Sequence, residues 1–583
     1  VPNVNTVRIH GVYRKWGDNG TFYFTSFPEK TPEGLFENHH RLWYNGNMST
    51  HEALTPIRQV LRACRAGMNE LKFADSTGVE LTGGQTFRNI LILRKVLRRI
   101  LGRNETNVGL LMPTSVYGVL ANLTLALDCR TTVNLNYTFH PDTINYCIKQ
   151  AELKHVITSR KVLERFPQLK IDAELIVMED LRDKITWLDK IIGVVDGYIT
   201  PVICLEWVFG TNRVQLDDVL TIIFTSGSTG TPKGAVITHR NMVENVKGFY
   251  QHLNLQKTDT LLGALPLFHA FGYTTSFWLP AMTAVKGIYH FNPLEPKKVA
   301  EVARKYKCTA IPTTPTFLRN YLKHSQREDF EMMNTIICGA EKLPTDLIDA
   351  WDAKFGVRPA EGYGTTELSP VVSVNVPKGR REDYQDWLRE GTIGRPLYNL
   401  QARIVDLETG KELPPDATGM LQIKGPSVMK EYYKDPAMTE EVLQDGWYTT
   451  GDVAKIDTDG FIWIVGRESR ISKIGGEMVP HILIEDEIMK IVASHLPGDS
   501  EGEALVAVSA VPDEKRGERL IILYKQLPIP AEEICKLLKQ ASLPNLWIPY
   551  TKDFFQVESI PILGTGKLDL RAVKELAEKV AKS

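Results

Sequence analysis

TSGSTGTPKG, Thr225 to Gly234, follows directly on the apolar run Val219 to Phe224 and crowds hydroxyls, glycines and one lysine into ten residues. Glycines let consecutive backbone N–H groups point into one concavity, serine and threonine hydroxyls add donors, and Lys233 supplies a cation for the outer phosphates of a nucleotide. The residues after Gly234, AVIT, read as a second strand, with a helix from around Asn241. A Walker-type loop needs Gly-Lys-Ser/Thr opening a helix, whereas here Pro232 precedes the lysine and Gly234 follows it. The pattern predicts a strand-loop-strand phosphate cradle.

A chain of 583 residues is too long for one core and is expected to divide into two or three domains. Its formal charge of −1 provides no global field for nucleic acid, which is excluded as an expected partner. Seven cysteines, Cys64, Cys129, Cys147, Cys204, Cys308, Cys338 and Cys535, form no CxxC pair, which fits a reducing compartment and gives no zinc pattern. The start, VPNVNTVRIHG, lacks the charged and apolar segments of a signal peptide, and no apolar run reaches the ~18 residues that span a bilayer. The expectation is a cytoplasmic protein, with at most peripheral contact at the inner face of a membrane. The missing initiator Met is expected of a piece of something longer.

Residues 1 to 60 read as an extension of unassigned role. WGDNG and EKTPEG turns alternate with aromatics, and none of His10, His39, His40 or His51 has the Asp that an acyltransferase His-x4-Asp pattern requires. FPEKTPEG, from Phe27, is a faint echo of another acyltransferase block. From about residue 85 the pattern becomes regular. Thr86 is placed to cap an amphipathic helix through FRNILILRKVLRRIL, and strands VGLLM, TTVNL and HVITS alternate with helices, the signature of a parallel α/β sheet. Arg88, Arg94, Lys95, Arg98 and Arg99 give that first helix a basic face, either solvated or turned to anionic lipid. After Gly466 the pattern becomes α+β, with a helix around Glu485 to Ala493, a pair ALVAVSAV and LIILYKQL, a helix near Glu532 to Gln540 and a final strand-loop-helix. The expected architecture is a large N-terminal domain over 61–468 and a small mobile C-terminal lid over 469–583.

Further motifs follow the phosphate loop in order: CGAEKLP with Gly339, Ala340 and Glu341; EGYGTTELSP with Glu361 to Pro370; YTTGD ending at Asp452; GRES with Arg467; and PILGTGKLDLR with Lys567. Nucleotidyl transfer to a carboxylate requires a phosphate cradle, a metal, a grip on the nucleoside and a cation near the α-phosphate. These motifs, in this order, resemble the adenylate-forming superfamily, which includes acyl-CoA synthetases, luciferases and adenylation domains. The resemblance covers roughly residues 60 to 583.

It implies ATP and Mg²⁺ as cofactors and assigns roles residue by residue. Thr225, Ser226, Gly227, Ser228, Thr229, Gly230 and Lys233 hold phosphates. Gly339, Ala340 and Glu341 line the adenine and acyl pockets, as do Gly362, Gly364 and Thr365 around the nucleotide. Tyr363 stacks on adenine, Thr366 binds the α-phosphate, Glu367 holds Mg²⁺, Asp452 accepts from ribose hydroxyls and Arg467 contacts the nucleotide. Lys567 is the expected catalytic lysine, carried on the lid. Ser469 occupies the hinge, where Asp or Lys is commoner. Rotation about it brings Gly475 and Gly476, with Lys473 before them, to a pantetheine thiol channel. His269, in LPLFHAFGY, is placed either near the carboxylate and thiol tunnel or packed in the apolar segment.

Closer resemblance, carried by ITSRKVLERF, PLFHAFGYTTSFWLP, TPTFLRNYL, SKIGGEMVP and IPILGTGKLDLR, is to the acyl-acyl-carrier-protein synthetase module, also found fused to acyltransferases in 2-acylglycerophosphoethanolamine acyltransferase proteins. Leu563, after Pro561 and Ile562, departs from the superfamily's Pro-x-Thr as that subgroup does. The implied reaction is fatty acid plus ATP giving acyl-AMP and pyrophosphate, then transfer to the thiol of holo acyl carrier protein or of coenzyme A. PLFHAFGYTTSFWLP and IPTTPTFL are apolar enough to line a fatty-acyl pocket. Other readings are the synthetase part of a lysophospholipid acylation system and a non-catalytic nucleotide-binding scaffold. Retention of Lys233, Glu367, Asp452, Arg467 and Lys567 argues against the scaffold.

Overall fold

Buried apolar runs define the strands of the computed structural model, which describes three short N-terminal strands and residues 54–225, 231–474, 477–495, 506–513, 516–541, 543–562 and 568–582. It divides into Val1–Ala53 and Leu54–Ser583. In the first unit Arg8–Ile9, Val12–Trp16 and Phe22–Thr25 form an antiparallel sheet with Tyr13 opposite Thr25. The larger unit begins with the helix Pro56–Ala66, whose Ile57, Val60, Leu61 and Cys64 are fully buried. His10, His39, His40, His51 and FPEKTPEG lie outside the described residues.

Two large mixed sheets carry most of the larger unit. The first has seven strands, in the order Glu431–Tyr432, Lys233–Thr238, Val219–Thr225, Thr131–Asn134, Asn107–Leu111, His155–Thr158 and Glu174–Val177. The last five run parallel. Except in the edge strand Glu174–Val177, their side chains are mostly buried on both faces, as expected inside a parallel sheet. Val219–Thr225 and Lys233–Thr238 pair antiparallel with Thr225 opposite Lys233, so the phosphate motif closes a strand-loop-strand unit. The second sheet has nine strands, and its central members, including Thr260–Gly263, Ala310–Thr313, Thr335–Cys338 and Ala360–Gly364, are parallel.

Helix starts differ from expectation by a few residues because capping decides them. Thr82, not Thr86, caps the helix Gly83–Leu97: its side chain accepts from Gln85 N while Gln85 reciprocates, and Thr86 is buried inside the helix. Asn241 lies at the third position of His239–His252, reciprocally bonded to the cap Thr238. The basic face is not a uniform solvated stripe. Arg94 is buried, paired with Asp128 at 3.0 Å and stacked over Phe209, while Arg99 pairs with Asp189.

A third sheet, which the α/β reading did not separate, is antiparallel throughout: Gln401–Val405, Gly419–Lys424, Trp447–Ile456 and Leu443–Gln444, with Ile462–Arg467 added on Trp447–Ile456. Glu468–Arg470 is a single turn, and Ile471–Ile474 already belongs to the last sheet, with Glu477–Pro480, Gly517–Tyr524, Val506–Asp513 and Phe554–Gln556. Helices His481–His495, Ala531–Gln540 and Leu570–Lys582 accompany it, the first two around a core of Ile484, Ile488, Ile522 and Ile534.

Candidate active site

Ligands of open parallel sheets gather beyond the carboxyl ends of the strands. Gly339 to Glu341 follow Thr335–Cys338 there, and Tyr363 and Gly364 end Ala360–Gly364. Gly364 is fixed by close approach, because a Cβ on it would stand 2.0 Å from the Pro370 carbonyl oxygen. The chain then turns sharply, Thr365 N donating to Pro370 O at 3.1 Å, and Thr366–Leu368 form a single 3-10 turn.

That turn is clamped by residues that sequence reasoning missed. Asn245, fully buried on His239–His252, donates to Leu368 O and Val371 O and accepts from Val371 N. Thr274 Oγ1 donates to Ser369 O, Ser369 Oγ donates to Ser427 O, and Met429 N donates to Glu367 O at 2.7 Å. An Asx residue inside a helix pattern gives no local signal of a partner more than a hundred residues away.

The Glu367 carboxylate accepts from Tyr432 Oη at 2.8 Å, and Lys233 Nζ lies 5.7 Å from the Tyr432 ring centre. Burial and the facing Glu367 charge push the phenols of Tyr432 and Tyr448 upward, so both remain neutral donors. Beside them Asp452 is buried on Trp447–Ile456. Tyr363 Oη donates to its Oδ2, and Arg467 Nε lies 3.1 Å from its Oδ1. Burial raises the Asp452 carboxyl, while Arg467 and Tyr363 pull the other way. Each carboxylate oxygen keeps a lone pair for a further donor. Lys233, Tyr363, Asp452 and Arg467 from four strands and Glu367 from the 3-10 turn are thus brought together, with Tyr432 and Tyr448 between them.

Other expected residues stand differently. Glu341 accepts from Thr316 N and Oγ1 at the start of helix Pro315–His324, so its carboxylate already serves a helix end. Ala340 holds a left-handed φ of 69°, and Gly339 backs onto the Phe271 ring. Gly362 is buried and Thr366 half-buried. The Thr365 hydroxyl is buried with no hydrogen-bond partner among the described residues. His269 is exposed between buried Phe268 and Ala270, which removes its reading as a packed core histidine. The rest of its segment does form core: Tyr273, Phe277 and Trp278 are fully buried in a π-helical turn, Tyr273 bonded to Thr132 at 2.8 Å, so they are not an open acyl lining. Lys473 is exposed and ion-paired with Glu408, which is not a member of the cluster. Ser469 lies in the turn between the last two sheets. Ser226, Gly227, Ser228, Thr229, Gly230, Gly475, Gly476, Leu563 and Lys567 lie outside the described residues.

The profile of the family described as AMP-binding enzyme matches residues 61–433. A long-chain-fatty-acid–CoA ligase of Escherichia coli O6:H1 is 32% identical over 368 residues, 62% of this chain and 62% of that protein, so the match spans less than two thirds of that relative. Among solved structures, ATP-bound MatB from Rhodopseudomonas palustris superposes with a TM-score of 0.71 at 24% identity, over 90% of this chain and 99% of that one. The o-succinylbenzoate CoA synthetase of Bacillus subtilis, in complex with its acyl-adenylate intermediate, gives 0.72 at 21% identity, over 89% and 98%. At these identities the two structures speak for the fold.

Proposed function

The chain belongs to the AMP-binding enzyme family and has the adenylate-forming fold, and on that premise we propose that it activates a fatty acid with ATP to an acyl-adenylate and passes the acyl group to a pantetheine thiol. The observation that carries this reading is the convergence of Lys233, Glu367, Tyr363, Asp452 and Arg467 around two neutral tyrosines.

The donor set fits a magnesium nucleotide. Among the described residues no group of three or more His, Cys, Asp or Glu stands ready to hold a metal alone. A lone carboxylate, Glu367, suits Mg²⁺, which takes its remaining ligands from phosphates and water. The unpartnered Thr365 hydroxyl is a spare group beside it. When bound, MgATP supplies the electrophilic α-phosphate and the leaving pyrophosphate. Tyr432 orients Glu367 by its hydrogen bond, and Lys233 with the loop Thr225 to Gly230 neutralises phosphate charge. Asp452 accepts from the ribose hydroxyls while the Arg467 guanidinium opposes the upward push of burial on its carboxyl, and the Tyr363 ring offers a face for adenine. Lys567 brings a cation to the reacting carboxylate on a lid that excludes water, and turning at Ser469 replaces it with Gly475 and Gly476 for the thiol step.

Coenzyme A is the acceptor that the relative's name supports. Holo acyl carrier protein is the second reading, supported by the segments ITSRKVLERF and IPILGTGKLDLR. Purified protein given ATP, Mg²⁺ and palmitate with both acceptors present separates them by mass spectrometry. Palmitoyl-CoA supports the first and palmitoyl carrier protein the second. Neither thioester, with no acyl-AMP, would overturn the reading altogether.

A further inference from the structure

Half of the large apolar side chains exposed among the described residues fall within 187–208. They lie on two consecutive helices, Trp187–Tyr198 and Val202–Phe209, with Ile199 at the end of the first. Trp187, Ile199, Trp207 and Val208 are 72%, 73%, 71% and 72% exposed. From this face we propose that the helical pair docks on an anionic phospholipid membrane, lying in the interface without crossing it. No described helix is long and apolar enough to span.

The orientation is built in by packing. On the inner side of the first helix a Cβ at Gly193 would stand 2.4 Å from Ile92, and one at Gly197 would stand 3.2 Å from Arg88, so these glycines seat the helix tightly on Gly83–Leu97. Leu188, Ile191, Val194 and Val195 are left facing outward. Arg65 donates to the carbonyls of Tyr198 at 2.7 Å and Thr200 at 2.6 Å, satisfying the end of that helix beneath the apolar face.

The charges choose the partner. Asp189 is buried against Arg99, and Glu206 is buried between Arg58 and Arg62. Asp196 is half-buried and accepts from Thr200 Oγ1 at 3.1 Å. The charge left exposed on the outer face is Lys190. Helices Pro56–Ala66 and Gly83–Leu97, which lie beneath, carry no acidic residue; of their bases Arg94 is buried against Asp128 and Arg58 and Arg62 flank Glu206, leaving the half-buried Arg65, Arg88 and Lys95. An apolar surface with a tryptophan near each end and a basic surround matches the acyl and headgroup layers of an anionic bilayer. A two-fold contact with a second copy would set the same basic groups against each other. The proposal is independent of the acyl acceptor and of the adenylation reading.

Flotation of the full chain tests it, with vesicles of phosphatidylcholine alone and of phosphatidylcholine carrying about one third phosphatidylglycerol. The protein is expected to float with the anionic vesicles, and brominated lipid to quench its tryptophan emission. Trp187→Ser, Ile199→Ser and Trp207→Ser combined should weaken partitioning by roughly 100-fold with an unchanged circular dichroism spectrum. Lys190→Glu should narrow the difference between the two vesicle types. Wild type that floats with neither vesicle, or a triple variant that floats like wild type, overturns the proposal. So does a wild-type dimer that the triple variant converts to monomer, or quenching by aqueous acrylamide showing Trp187 and Trp207 already covered without lipid.

Discussion

Glu361 stands directly before Gly362 in the nucleotide motif, largely buried, and burial pushes its carboxyl up to about 7 against the pull of the Leu343 amide and Lys342. The folded protein therefore holds a proton there that the unfolded chain releases near the ordinary glutamate value of 4.5. Stability from this residue is present below that value and lost as pH rises towards 7. Glu361→Gln, which does not titrate, should stabilise the protein by roughly 1–3 kcal/mol above pH 7 and by nothing at pH 4, measured as urea unfolding at both. Tyr432→Phe removes the donor to Glu367 and should lower kcat/KM for MgATP about tenfold, with little change in the fatty-acid KM, in a steady-state assay. Glu367 and Asp452 were legible in the sequence because the family's short motifs carry them. Tyr432 was not, since the residue it serves lies 65 positions away and YYKDP has no motif character alone.

The turn from Thr365 to Val371 is an element whose shape is imposed from outside, chiefly by Asn245 reaching across from His239–His252. Asn245→Ala leaves buried backbone groups unpaired and should cost about 2–4 kcal/mol in urea unfolding. The same variant should raise the Mg²⁺ concentration needed for half-maximal activity, since Glu367 sits in the loosened turn. The strand-loop-strand unit around TSGSTGTPKG was legible because Pro232 and Gly234 forbid the helical alternative, and the pairing of Thr225 with Lys233 follows. The antiparallel sheet from Gln401 to Arg467 was not, because its strands carry mixed polar and apolar residues that the βα alternation upstream does not prepare for. The basic helix was legible as basic but not in its partners, Asp128 and Asp189, which are distant in sequence.

At the scale of the molecule, the last sheet follows the rest through the single turn Glu468–Arg470, and Lys473 on its first strand reaches Glu408 in the turn after Gln401–Val405. Both side chains are exposed, and a solvated pair of this kind holds two bodies together only weakly. Glu408→Gln should leave the Tm unchanged and shift the rates of acyl-AMP formation and thiol transfer by no more than about fivefold, in opposite directions, in single-turnover experiments. A uniform loss of both would mean that the contact supports folding instead of arrangement. The central claim is that the cluster of Lys233, Glu367, Tyr363, Asp452 and Arg467 activates a fatty acid with ATP. Palmitate-dependent exchange of labelled pyrophosphate into ATP tests it most directly, on wild type and on Glu367→Gln. Exchange is predicted only with palmitate present, falling by at least about 100-fold in a Glu367→Gln variant that keeps the wild-type circular dichroism spectrum. No palmitate-dependent exchange by wild type, or full exchange by the variant, would contradict the account.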